Sequence, residues 1–331
     1  MNKDSKTVIV TGGAGYVGST LVNVLLQNDF NVIVIDKLVS GGESLLSVWH
    51  HQKFLFYKLD ITQPDKLEIV FKSHKINSII HLAAIVGDPA CAKQPELARQ
   101  VNEIAAQNLL NLALAHNVER FIFASTCSNY GKMEDPSTYI NESSPLSPVS
   151  LYAELKVKFE KVLLDQTPRN NIFCPTALRF ATVYGISPRM RFDLTVNEFS
   201  KELALGRVLE VFGEQFWRPY CHVSDFSRAM LLVLTAEKEK VSHNVFNVGN
   251  TQENYTKFMI VEEIKKRLPE ANVKYVRKSE DPRDYRVSFE KIQRELGFQI
   301  TKKVPDGILE VIESIQNNVF INPDDQKYRN I

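Results

Sequence analysis

Short apolar segments alternate with amphipathic stretches through more than half of this 331-residue chain. The apolar segments are rich in valine, isoleucine and phenylalanine, and they predict strands at residues 7–10, 32–35, 54–59, 78–82, 120–124 and 177–180. The amphipathic stretches between them predict helices at residues 16–27, 66–73, 95–116 and 151–164. Strands buried on both faces read as continuous apolar runs, and this alternation is typical of a parallel sheet covered by helices. The sequence therefore predicts an α/β fold built on a doubly wound parallel sheet.

The alternation ends near Gly185, and the rest of the chain reads differently. There the sequence predicts a helix at residues 194–205, short strands near Leu209 and Val245, and helices near Tyr255 and Val304. This indicates a first domain at residues 1–185 and a smaller, mixed α/β lobe at residues 186–331, with some later segments returning to the first domain. We expect the final segment, PDDQKYRNI, to form a loose tail.

The composition excludes several classes of protein. With 40 basic and 39 acidic residues the net charge is +1, so no basic field is present to attract nucleic acid or anionic lipid. No apolar run approaches the roughly 20 residues that a transmembrane helix needs, and we expect neither an export signal nor a membrane anchor. The cysteines are far apart without CxxC spacing, which predicts no metal site and no disulfide framework. We expect a cytoplasmic protein.

The segment TGGAGYVG follows the first predicted strand and leads into the first predicted helix. Its glycines are spaced to form a tight turn, to let a pyrophosphate approach the backbone, and to let the helix pack closely. The helix N-terminus would then face the phosphates. A glycine pattern alone is weak evidence, but the strand before it and the helix after it favour a Rossmann-type dinucleotide site. The predicted residues are Gly12, Gly15, Tyr16, Val17 and Gly18.

Carboxylates end the second and third predicted strands. Asp36 ends VIVID, where it can accept hydrogen bonds from both hydroxyls of an adenosine ribose and would repel a 2′-phosphate, which favours NAD over NADP. Lys37 follows it and could soften that discrimination, and a solvated loop residue is the alternative interpretation of Asp36. Asp60, with Ile61 beside it, is a candidate for contact with the adenine, and an ordinary helix cap before Thr62 is its alternative.

Tyr152 and Lys156 lie four residues apart in SLYAELK. On a helix this spacing puts both side chains on one face, so the ammonium of Lys156 can favour the ionised phenol. An unperturbed tyrosine has a pKa near ~10. Lys156 and a positively charged nicotinamide ring would therefore have to lower the pKa of Tyr152 before it could act as a general base near neutral pH. Together with the glycine-rich turn, the pair predicts a hydride-transfer enzyme.

From about residue 7 to residue 309 the chain resembles the extended short-chain dehydrogenases/reductases that act on nucleotide sugars, the epimerase and dehydratase group. The resemblance rests on TGGAGYVG, Asp36, LDIT at 59–62, HLAA at 81–84, Asn102, STCSNYG at 125–131, Tyr152 with Lys156, and RFATVYG at 179–185. It implies that Tyr152 is the catalytic acid/base and that Lys156 is its partner and a ribose ligand. It also implies that Thr126 shares the hydrogen bond of the substrate hydroxyl.

The same resemblance implies further contacts with the cofactor and a quaternary structure. Four residues would line the cofactor channel and two would lie beside the nicotinamide: Leu82, Ala83, Ala84 and Asn102, then Phe180 and Ala181. The family also suggests a homodimer packed through the helices at residues 95–116 and 151–164. His81 and His222 adjoin apolar strand residues and lie outside the family's catalytic set, so we assign both to structure.

A nucleoside diphosphate carries two anionic phosphates, which a near-neutral protein must bind with a few well-placed guanidiniums. Arg218 in FWRPYCHVSD and Arg283 in EDPRDYRVS match arginines of the family and are the first candidates. Arg189 and Arg191 in ISPRMRFD are secondary candidates. The alternative for each arginine is a surface ion pair, which contributes little free energy.

The sequence departs from the family pattern at four candidate substrate-binding positions. Dehydratases of the family carry Asp and Glu directly after the catalytic Thr, where this chain has Cys127 and Ser128, so a conventional 4,6-dehydration is hard to arrange. Epimerases need only small residues there. Cys127 could act as an acid in an unusual elimination, or be a small buried hydrophobic residue. Thr182 replaces an Asn of many relatives and Val86 a basic residue of some epimerases, which leaves the substrate open.

The segments LRFATVYGISPRMRFDLTVNEF and EDPRDYRVS are most similar to a branch that includes nucleotide-heptose 4-oxidases. We therefore predict an NAD-dependent enzyme that oxidises the C4 hydroxyl of a nucleoside-diphosphate sugar, giving 4-epimerisation or net 4-oxidation. A dehydratase using Cys127 and a non-catalytic NAD-binding sensor are the alternatives. The proline-containing loop at residues 134–150 is a candidate active-site flap, with a stiff surface connection as its alternative.

Overall fold

The computed structural model describes residues 6–133, 135, 138–166, 173–277 and 283–330. Within these residues no helix combines the length and the apolar character needed to cross a bilayer. The strands are β1 Thr7–Thr11, β2 Asn31–Asp36, β3 Phe54–Lys58, β4 Ser78–His81, β5 Arg120–Thr126, β6 Cys174–Phe180, β7 Thr182–Tyr184, β8 Leu209–Phe212, β9 Trp217–His222, β10 Asn244–Val248, β11 Asn254–Thr256 and β12 Val273–Val276.

The helices lie between these strands and follow the last of them. They are α1 Tyr16–Gln27, α2 Pro64–Ser73, α3 Asp88–Lys93, α4 Pro95–Arg99, α5 Ala106–Ala115, α6 Leu151–Leu164, α7 Thr195–Ala204, α8 Val223–Thr235, α9 Lys238–Val241, α10 Lys257–Lys265, α11 Glu290–Leu296 and α12 Val304–Gln316. The bounds of α1 and α6 are those that the sequence predicts.

Seven parallel strands form the central sheet in the order β10-β6-β5-β4-β1-β2-β3. The chain builds outward from β1 to β3 on one side and then from β4 on the other, so the strand order reverses beside β1. Ligands of such folds bind in the crevice outside the carboxyl ends of the strands at this reversal. The predicted doubly wound parallel sheet of the Rossmann type is confirmed.

The sheet is buried on both faces because successive side chains of a strand point to opposite sides. Val8 and Val10 of β1 join the hydrophobic core under α1 and α8, whereas Ile9 between them joins the core under α2, α5 and α6. This explains the continuous apolar runs in the sequence. Two smaller sheets, β11-β9-β7 and β12-β8, belong to the mixed C-terminal part, while the strand predicted near Val245 lies in the central sheet as β10.

The helix predicted at residues 95–116 is interrupted. Between α4 and α5 the chain forms a π-helical turn at Gln100–Ala105. Asn102 lies in this turn and is buried, with its Oδ1 accepting a hydrogen bond from Ile85 N (2.8 Å) and its Nδ2 donating to Ile85 O (2.9 Å). Turns of this kind are common at functional sites. Here the turn aims an amide side chain at the loop that follows β4.

The loop at residues 134–150 is joined to a later segment of the chain. Residues 134, 136 and 137 lie outside the described residues. In the described part, Ile140 N donates to Arg286 O (2.9 Å) and Ser288 N donates to Ile140 O (2.8 Å). These bonds attach the loop to residues 286–288, and its role as a flap stays a prediction.

The prediction of a loose C-terminal tail is wrong for the described residues. Tyr328 packs edge-on against Phe192 and Phe320, at ring-centroid distances of 5.6 and 5.4 Å. Asn330 then donates from its backbone N to Asp193 Oδ2 (3.1 Å) and from its Nδ2 to Val86 O (2.5 Å). The tail is polar in sequence, but its one tyrosine completes an aromatic cluster, and the hydrogen bonds follow from that anchor.

A buried polar network joins α6 to the central sheet. Glu160 of α6 accepts hydrogen bonds from Ser125 Oγ of β5 (2.6 Å) and from Arg179 Nε of β6 (3.1 Å), and its ion pair with Arg179 is almost fully buried. Arg179 Nη1 also donates to Tyr130 Oη (2.9 Å), which donates in turn to Asn247 Oδ1 of β10 (2.8 Å). The network fixes α6 against three neighbouring strands.

Removal of the Glu160 carboxylate would leave the guanidinium of Arg179 buried without its counterion. We expect Glu160→Ala to lower the free energy of unfolding by about 3–5 kcal/mol. The matched control is Glu103→Ala, which removes an exposed ion pair with Lys158 of the same helix and costs about 1 kcal/mol or less. Urea unfolding of both variants checks this, and equal losses would contradict the importance of the buried pair.

Candidate active site

The carboxyl ends of five parallel strands meet at one edge of the central sheet. Gly12 follows β1, Asp36 ends β2, Leu82 follows β4, Thr126 ends β5 and Phe180 ends β6. Parallel strands place their carboxyl ends on the same side, so the topology brings together residues that are far apart in the sequence. This edge is the candidate active site.

The glycine-rich turn is closely packed by backbone. Gly12 has φ +74°, and a Cβ atom there would lie 2.8 Å from Ala83 N; a Cβ atom at Gly18 would lie 2.2 Å from Gly12 O. Gly15 is the N-cap of α1 and provides no side chain to cap it. The turn therefore brings backbone amides and the positive end of α1 to the crevice without side chains in between, which suits a pyrophosphate.

The first two side chains of α1 point away from the turn. Tyr16 is buried, and its hydroxyl donates to Gly185 O (2.5 Å) and accepts from Asn197 Nδ2 (3.1 Å). Burial raises the pKa of Tyr16 above its ordinary value. Val17 packs against the hydrophobic core. Only the main chain of these two residues is therefore placed for the predicted contact with phosphate.

Asp36 is held by the backbone on both of its oxygens. Oδ2 accepts from Ala14 N (3.0 Å) in the glycine-rich turn, and Oδ1 accepts from Leu38 N (2.8 Å). Burial raises the pKa of Asp36 above its ordinary value, while these two hydrogen bonds oppose the increase. The carboxylate is thus fixed next to the phosphate turn, as a ribose ligand must be.

Asp60 makes local contacts with Thr62 and Lys37, and they are not those of the helix cap that was its alternative interpretation. Its Oδ1 accepts from Thr62 N (3.0 Å) and Thr62 Oγ1 (2.9 Å), and its Oδ2 pairs with Lys37 Nζ at 3.2 Å. Burial opposes the shift, but the Thr62 hydrogen bonds and the Lys37 ammonium hold the pKa of Asp60 below its ordinary value. The contacts form a turn rather than a helix cap, because α2 begins only at Pro64. Ile61 is buried in the core.

The loop after β4 is fixed to β1. Leu82 N donates to Thr11 O (3.1 Å), and Ala83 N donates to Thr11 Oγ1 (3.3 Å). Ala84 follows, partly buried, and then comes the segment that Asn102 clamps through Ile85. Asn102 therefore fixes the loop that lines the crevice by binding the backbone of Ile85. Motif matching alone does not reveal this contact.

Phe180, Ala181 and Thr182 follow one another at the end of β6. The ring of Phe180 packs on Phe226, with centroids 4.1 Å apart, and Ala181 N donates to Val248 O (3.2 Å). Thr182 begins β7 and is partly buried. These contacts fix Phe180 and Ala181 in place at the carboxyl end of β6.

Lys156 and Tyr152 lie on one face of α6, as predicted, opposite Thr126. Lys156 is 4% exposed; its Nζ lies 5.8 Å from the centroid of the Tyr152 ring and donates to Ala124 O (2.7 Å). Ser150 caps the helix by accepting from Ala153 N (3.3 Å). Thr126 Oγ1 accepts from Ser128 N (3.1 Å), which leaves its hydroxyl proton to be donated.

The expected lowering of the Tyr152 pKa is absent from the protein alone. Burial raises the pKa of Tyr152 above its ordinary value, and Cys91 and Asp88 add to the increase. Burial also lowers the pKa of Lys156 to about 8. The same burial that brings the two groups together penalises both ionised forms, so the lowering expected from Lys156 and a positive nicotinamide ring together stays a prediction for the loaded enzyme.

Arg218 and Arg283, the first candidates for the phosphates, both act electrostatically on Tyr285. The guanidinium of Arg218 lies 5.2 Å from the centroid of the Tyr285 ring, and its Nη1 donates to Trp217 O (2.7 Å). Arg283 Nη1 pairs with Asp88 Oδ2 at 2.8 Å. Both arginines act on the pKa of Tyr285, which burial raises to about 12.

The secondary candidates lie elsewhere in the crevice. Arg189 donates from Nη2 to Ser40 Oγ and to Arg329 O, each at 2.8 Å, and its charge acts on Asp36. Arg191 forms a two-point ion pair with Asp193 (2.9 and 2.6 Å). Arg189 is therefore closer to the predicted ribose site than to Arg218 and Arg283, since it adjoins the residues that follow β2. The carbonyl oxygen of Val86 accepts the hydrogen bond from Asn330 Nδ2 in the C-terminal segment.

The residues after Thr126 form a short 3₁₀ turn at Cys127–Tyr130. Cys127 is 1% exposed, its Sγ donates to Arg179 O (3.2 Å), and burial raises its thiol pKa well above the ordinary value. Ser128 Oγ accepts from the hydroxyl of Tyr285 (3.4 Å). The geometry of Cys127 is that of the alternative interpretation, a buried structural thiol.

His81 and His222 make structural contacts. His81 Nδ1 lies 2.7 Å from Thr11 Oγ1, and burial lowers its pKa to about 3. His222 caps α8 through Ser224, lies 2.9 Å from Glu310 Oε2, and has its pKa lowered by burial to about 4. Neither imidazole is arranged for acid/base work at the edge of the sheet.

Two site residues escape the sequence reasoning, Asp88 and Tyr285. Asp88 Oδ1 accepts from Ser150 Oγ (2.6 Å), so this carboxylate joins Arg283 to the cap of α6. The only signals in the sequence are an acidic residue after the loop that follows HLAA, and a tyrosine two positions after Arg283. Neither pattern indicates a partner.

Replacement of Gly12 tests the backbone cradle. We expect Gly12→Ala to weaken NAD binding at least about tenfold, since its Cβ would press on Ala83 N and displace the turn. Gly297→Ala is the control because Gly297 has a similar φ of +69° but nothing within 4 Å, so it meets only the backbone strain of about 1–2 kcal/mol. Calorimetric titration with NAD measures both. Equal affinities would contradict the cradle.

The buried ammonium of Lys156 predicts a pH dependence of stability. The pKa of Lys156 is about 8 in the folded protein, and an unfolded lysine has a pKa near ~10.4. Below the lower value the ammonium is charged in both states, and the cost of burying it is fully present. Between the two values the unfolded chain binds more protons, so stability rises with pH.

We therefore compare the free energies of unfolding of Lys156→Met and the parent, both without cofactor. The difference in favour of the variant should be largest below pH 8 and should shrink as the pH rises toward the pKa of lysine in the unfolded chain. Urea unfolding at a series of pH values measures it. Lys158→Met, on the exposed side of the same helix, is the control and should show no such trend. A pH-independent difference for Lys156→Met would contradict the buried charge.

Comparison with known proteins places this geometry in a family. Residues 8–249 match the profile of the NAD dependent epimerase/dehydratase family. The UDP-glucose 4-epimerase of Halalkalibacterium halodurans is 31% identical over 314 residues, which cover 88% of this chain and 90% of that protein. UDP-glucuronic acid decarboxylase 6 of Arabidopsis thaliana is 30% identical over 312 residues, which cover 91% and 86%.

Solved structures give the same result. The UDP-glucose 4-epimerase of Thermotoga maritima, solved with UDP-glucose, has a TM-score of 0.82 at 26% identity and covers 95% of this chain and 99% of that one. The dTDP-glucose 4,6-dehydratase of Bacillus anthracis, at 23% identity and a TM-score of 0.83, covers 96% and 98% and shares the fold. The predictions of family and cofactor are confirmed: the chain belongs to the NAD-dependent epimerase/dehydratase family of extended short-chain dehydrogenases/reductases, and its cofactor is NAD.

Proposed function

We propose that this protein oxidises the C4 hydroxyl of a nucleoside-diphosphate sugar, with Tyr152 as the acid/base. The observation that carries the proposal is the convergence of Tyr152, Lys156 and Thr126 at the edge of the sheet that also holds the glycine-rich turn. Relatives named as UDP-glucose 4-epimerases and a UDP-glucuronic acid decarboxylase support a nucleotide-sugar substrate.

The residues of the crevice fit NAD. Because Gly12 and Gly15 have no side chains, a pyrophosphate can approach the backbone of the turn directly. Asp36, fixed beside this turn, provides a carboxylate for the adenosine ribose. Lys156 would hold the second ribose, and Phe180 with Ala181 would support the nicotinamide. When bound, NAD supplies an acceptor for the hydride that leaves C4.

The proton of the C4 hydroxyl is taken by Tyr152. In the protein alone the phenol stays protonated, since burial raises its pKa. The ammonium of Lys156, at the ribose, and the positive charge of the oxidised cofactor both favour the phenolate, so the base becomes active only in the loaded enzyme. Thr126 uses its free hydroxyl proton to orient the substrate oxygen.

The residues after Thr126 favour an outcome without dehydration. The thiol of Cys127 is buried and directed at a backbone carbonyl, and Ser128 has no charge, so no carboxylate stands there to remove a C5 proton or to protonate a C6 hydroxyl. Small side chains leave room for a 4-keto sugar to turn. A ketone that turns and is reduced again gives 4-epimerisation, the activity named for several relatives, and a ketone that leaves gives net oxidation.

The diphosphate is assigned to Arg218, whose guanidinium lies 5.2 Å from the centroid of the Tyr285 ring, and to Arg283, whose charge also acts on Tyr285. Bidentate recognition of phosphate is the strength of this side chain. The nucleobase and the sugar remain to be identified by experiment. The homodimer through the helices around Pro95 and Leu151 and the cytoplasmic location stay predictions.

A panel of UDP, dTDP, GDP and CDP sugars, with products resolved by NMR, tests the proposal. We expect a C4-epimeric or 4-keto sugar from the parent enzyme. Tyr152→Phe should lower turnover by about 10²–10⁴ with little change in nucleotide-sugar affinity, because the variant loses only the acid/base group. The control is Tyr57→Phe, whose hydroxyl contacts His74 at the end of α2 and has no proposed part in the reaction.

Two results would count against the proposal. Equal turnover in Tyr152→Phe and the parent would favour the non-catalytic sensor. A 6-deoxy 4-keto product would show dehydration and remove the argument from Cys127 and Ser128.

A further inference from the structure

One carboxylate joins the two halves of the proposed site. Asp88 lies after the loop that follows β4, and both of its oxygens are used. Oδ1 accepts from Ser150 Oγ (2.6 Å), and Oδ2 pairs with Arg283 Nη1 (2.8 Å). These partners are 62 and 195 residues away in the sequence, and the side chain of Asp88 is 23% exposed.

The two partners of Asp88 lie in different parts of the proposed site: Ser150 begins the helix of Tyr152, and Arg283 is a proposed ligand of the substrate phosphates. Ser150 is the N-cap of α6, with its Oγ accepting from Ala153 N (3.3 Å), and Tyr152 stands two residues further on. Arg283 is a proposed ligand of the substrate diphosphate, on the chain segment that carries Tyr285. The carboxylate therefore couples the start of the acid/base helix to a substrate arginine.

The contacts are of the strong kind. A hydrogen bond to a carboxylate is shorter and stronger than one between neutral groups, and an arginine pair adds directional specificity. A residue held by two charge-assisted contacts at once fixes the distance between its partners. Removal of the charge or of a contact of Asp88 should therefore change the positions of both Tyr152 and Arg283.

We propose that Asp88 is a positioning residue of the reaction, which places Tyr152 through Ser150, the N-cap of its helix, and links that placement to Arg283. This inference rests on the proposed function. Asp88 does not touch the reacting atoms. Burial does most to keep the phenol protonated, and the negative charge of Asp88 adds directly to that effect until the oxidised cofactor brings positive charge to the site.

Other groups also face Tyr152, and the test must separate them from Asp88. Burial has the largest effect on the pKa of the phenol; Cys91 and Asp88 of α3 and Tyr285 raise it further, and Arg191 lowers it. Lys156 lies on the same helix, 5.8 Å from the ring centroid. Of these groups, Asp88 alone also contacts the helix cap and Arg283.

Asp88→Asn keeps an oxygen for Ser150 and removes the charge. We expect the phenol of Tyr152 in the NAD-loaded enzyme to ionise at a pH lower by roughly half a unit than in the parent. The readout is the ultraviolet difference between each enzyme and its own Tyr152→Phe counterpart. The acid limb of the rate profile, which rises as Tyr152 ionises, should move in the same direction.

Two further variants distinguish positioning from a structural role. Ser150→Ala removes the cap and should lower stability by about 0.5–2 kcal/mol without moving the ionisation of Tyr152. Glu103→Gln removes a carboxylate that pairs with Lys158 of the same helix and has no contact with Ser150 or Arg283, so it should change neither quantity.

A double-mutant cycle tests the link to Arg283. At a pH where Tyr152 is ionised in all variants, Asp88→Asn and Arg283→Gln should each lower kcat/KM, and the double variant should be little worse than Arg283→Gln, which loses the coupling together with the proposed phosphate ligand. Additive losses would overturn the link.

An unchanged ionisation in Asp88→Asn, or an equal shift in Ser150→Ala, would overturn the role at Tyr152. The ultraviolet titration needs no substrate, so failure of the proposed function, seen as no oxidation of any nucleotide sugar, is recognised separately.

Discussion

The geometry of the site depends on the buried ion pair of Glu160 and Arg179. Glu160 lies one helical turn after Lys156, and Arg179 lies directly before Phe180, so the pair holds the helix that carries Tyr152 and Lys156 against the strand that ends beside the proposed nicotinamide position. Ser125, the third member, directly precedes Thr126. An ion pair buried to this degree costs desolvation free energy and is held only when its geometry is closely satisfied. That demand fixes the segments that carry the three proposed catalytic residues, Thr126, Tyr152 and Lys156, relative to one another.

The same burial explains why the protein alone is a poor base. Removing Tyr152 and Lys156 from water penalises the phenolate and the ammonium alike, and their pKa values shift toward the neutral forms. In the proposed mechanism the oxidised cofactor adds the positive charge that, together with Lys156, favours the phenolate. Acid/base chemistry is thereby linked to the presence of NAD, since the empty site holds its proton.

Much of the fold could be predicted because it leaves local patterns. Continuous apolar runs mark strands buried on both faces, and the bounds of α1 and α6 follow directly from helical periodicity. The glycine-rich turn, Asp36 and the spacing of Tyr152 with Lys156 are also local, and the structure gathers them at one edge of the sheet. Local spacing is enough where the chemistry needs neighbours on a single helix or turn.

The rest could not be predicted because it depends on contacts between distant parts of the chain. Asp88 meets Arg283 across 195 residues, and Asn330 meets Val86 across 244, and neither pairing has a periodicity that reveals it. For the same reason the C-terminal segment reads as a loose tail although Tyr328 anchors it in an aromatic cluster. The size of the effect that the cofactor has to exert on Tyr152 could not be predicted either, because the spacing shows the ammonium beside the phenol but not the burial that both groups share.

The central claim is that C4 of the sugar loses its hydrogen to NAD while Tyr152 takes the hydroxyl proton. The most direct measurement is a single turnover of the NAD-loaded enzyme with its nucleotide sugar carrying deuterium at C4, followed by mass analysis of the cofactor. We predict that NADH forms more slowly than with the unlabelled sugar and contains the deuterium. Deuterium retained on the sugar while NADH forms, or product without any reduced cofactor, would contradict the claim.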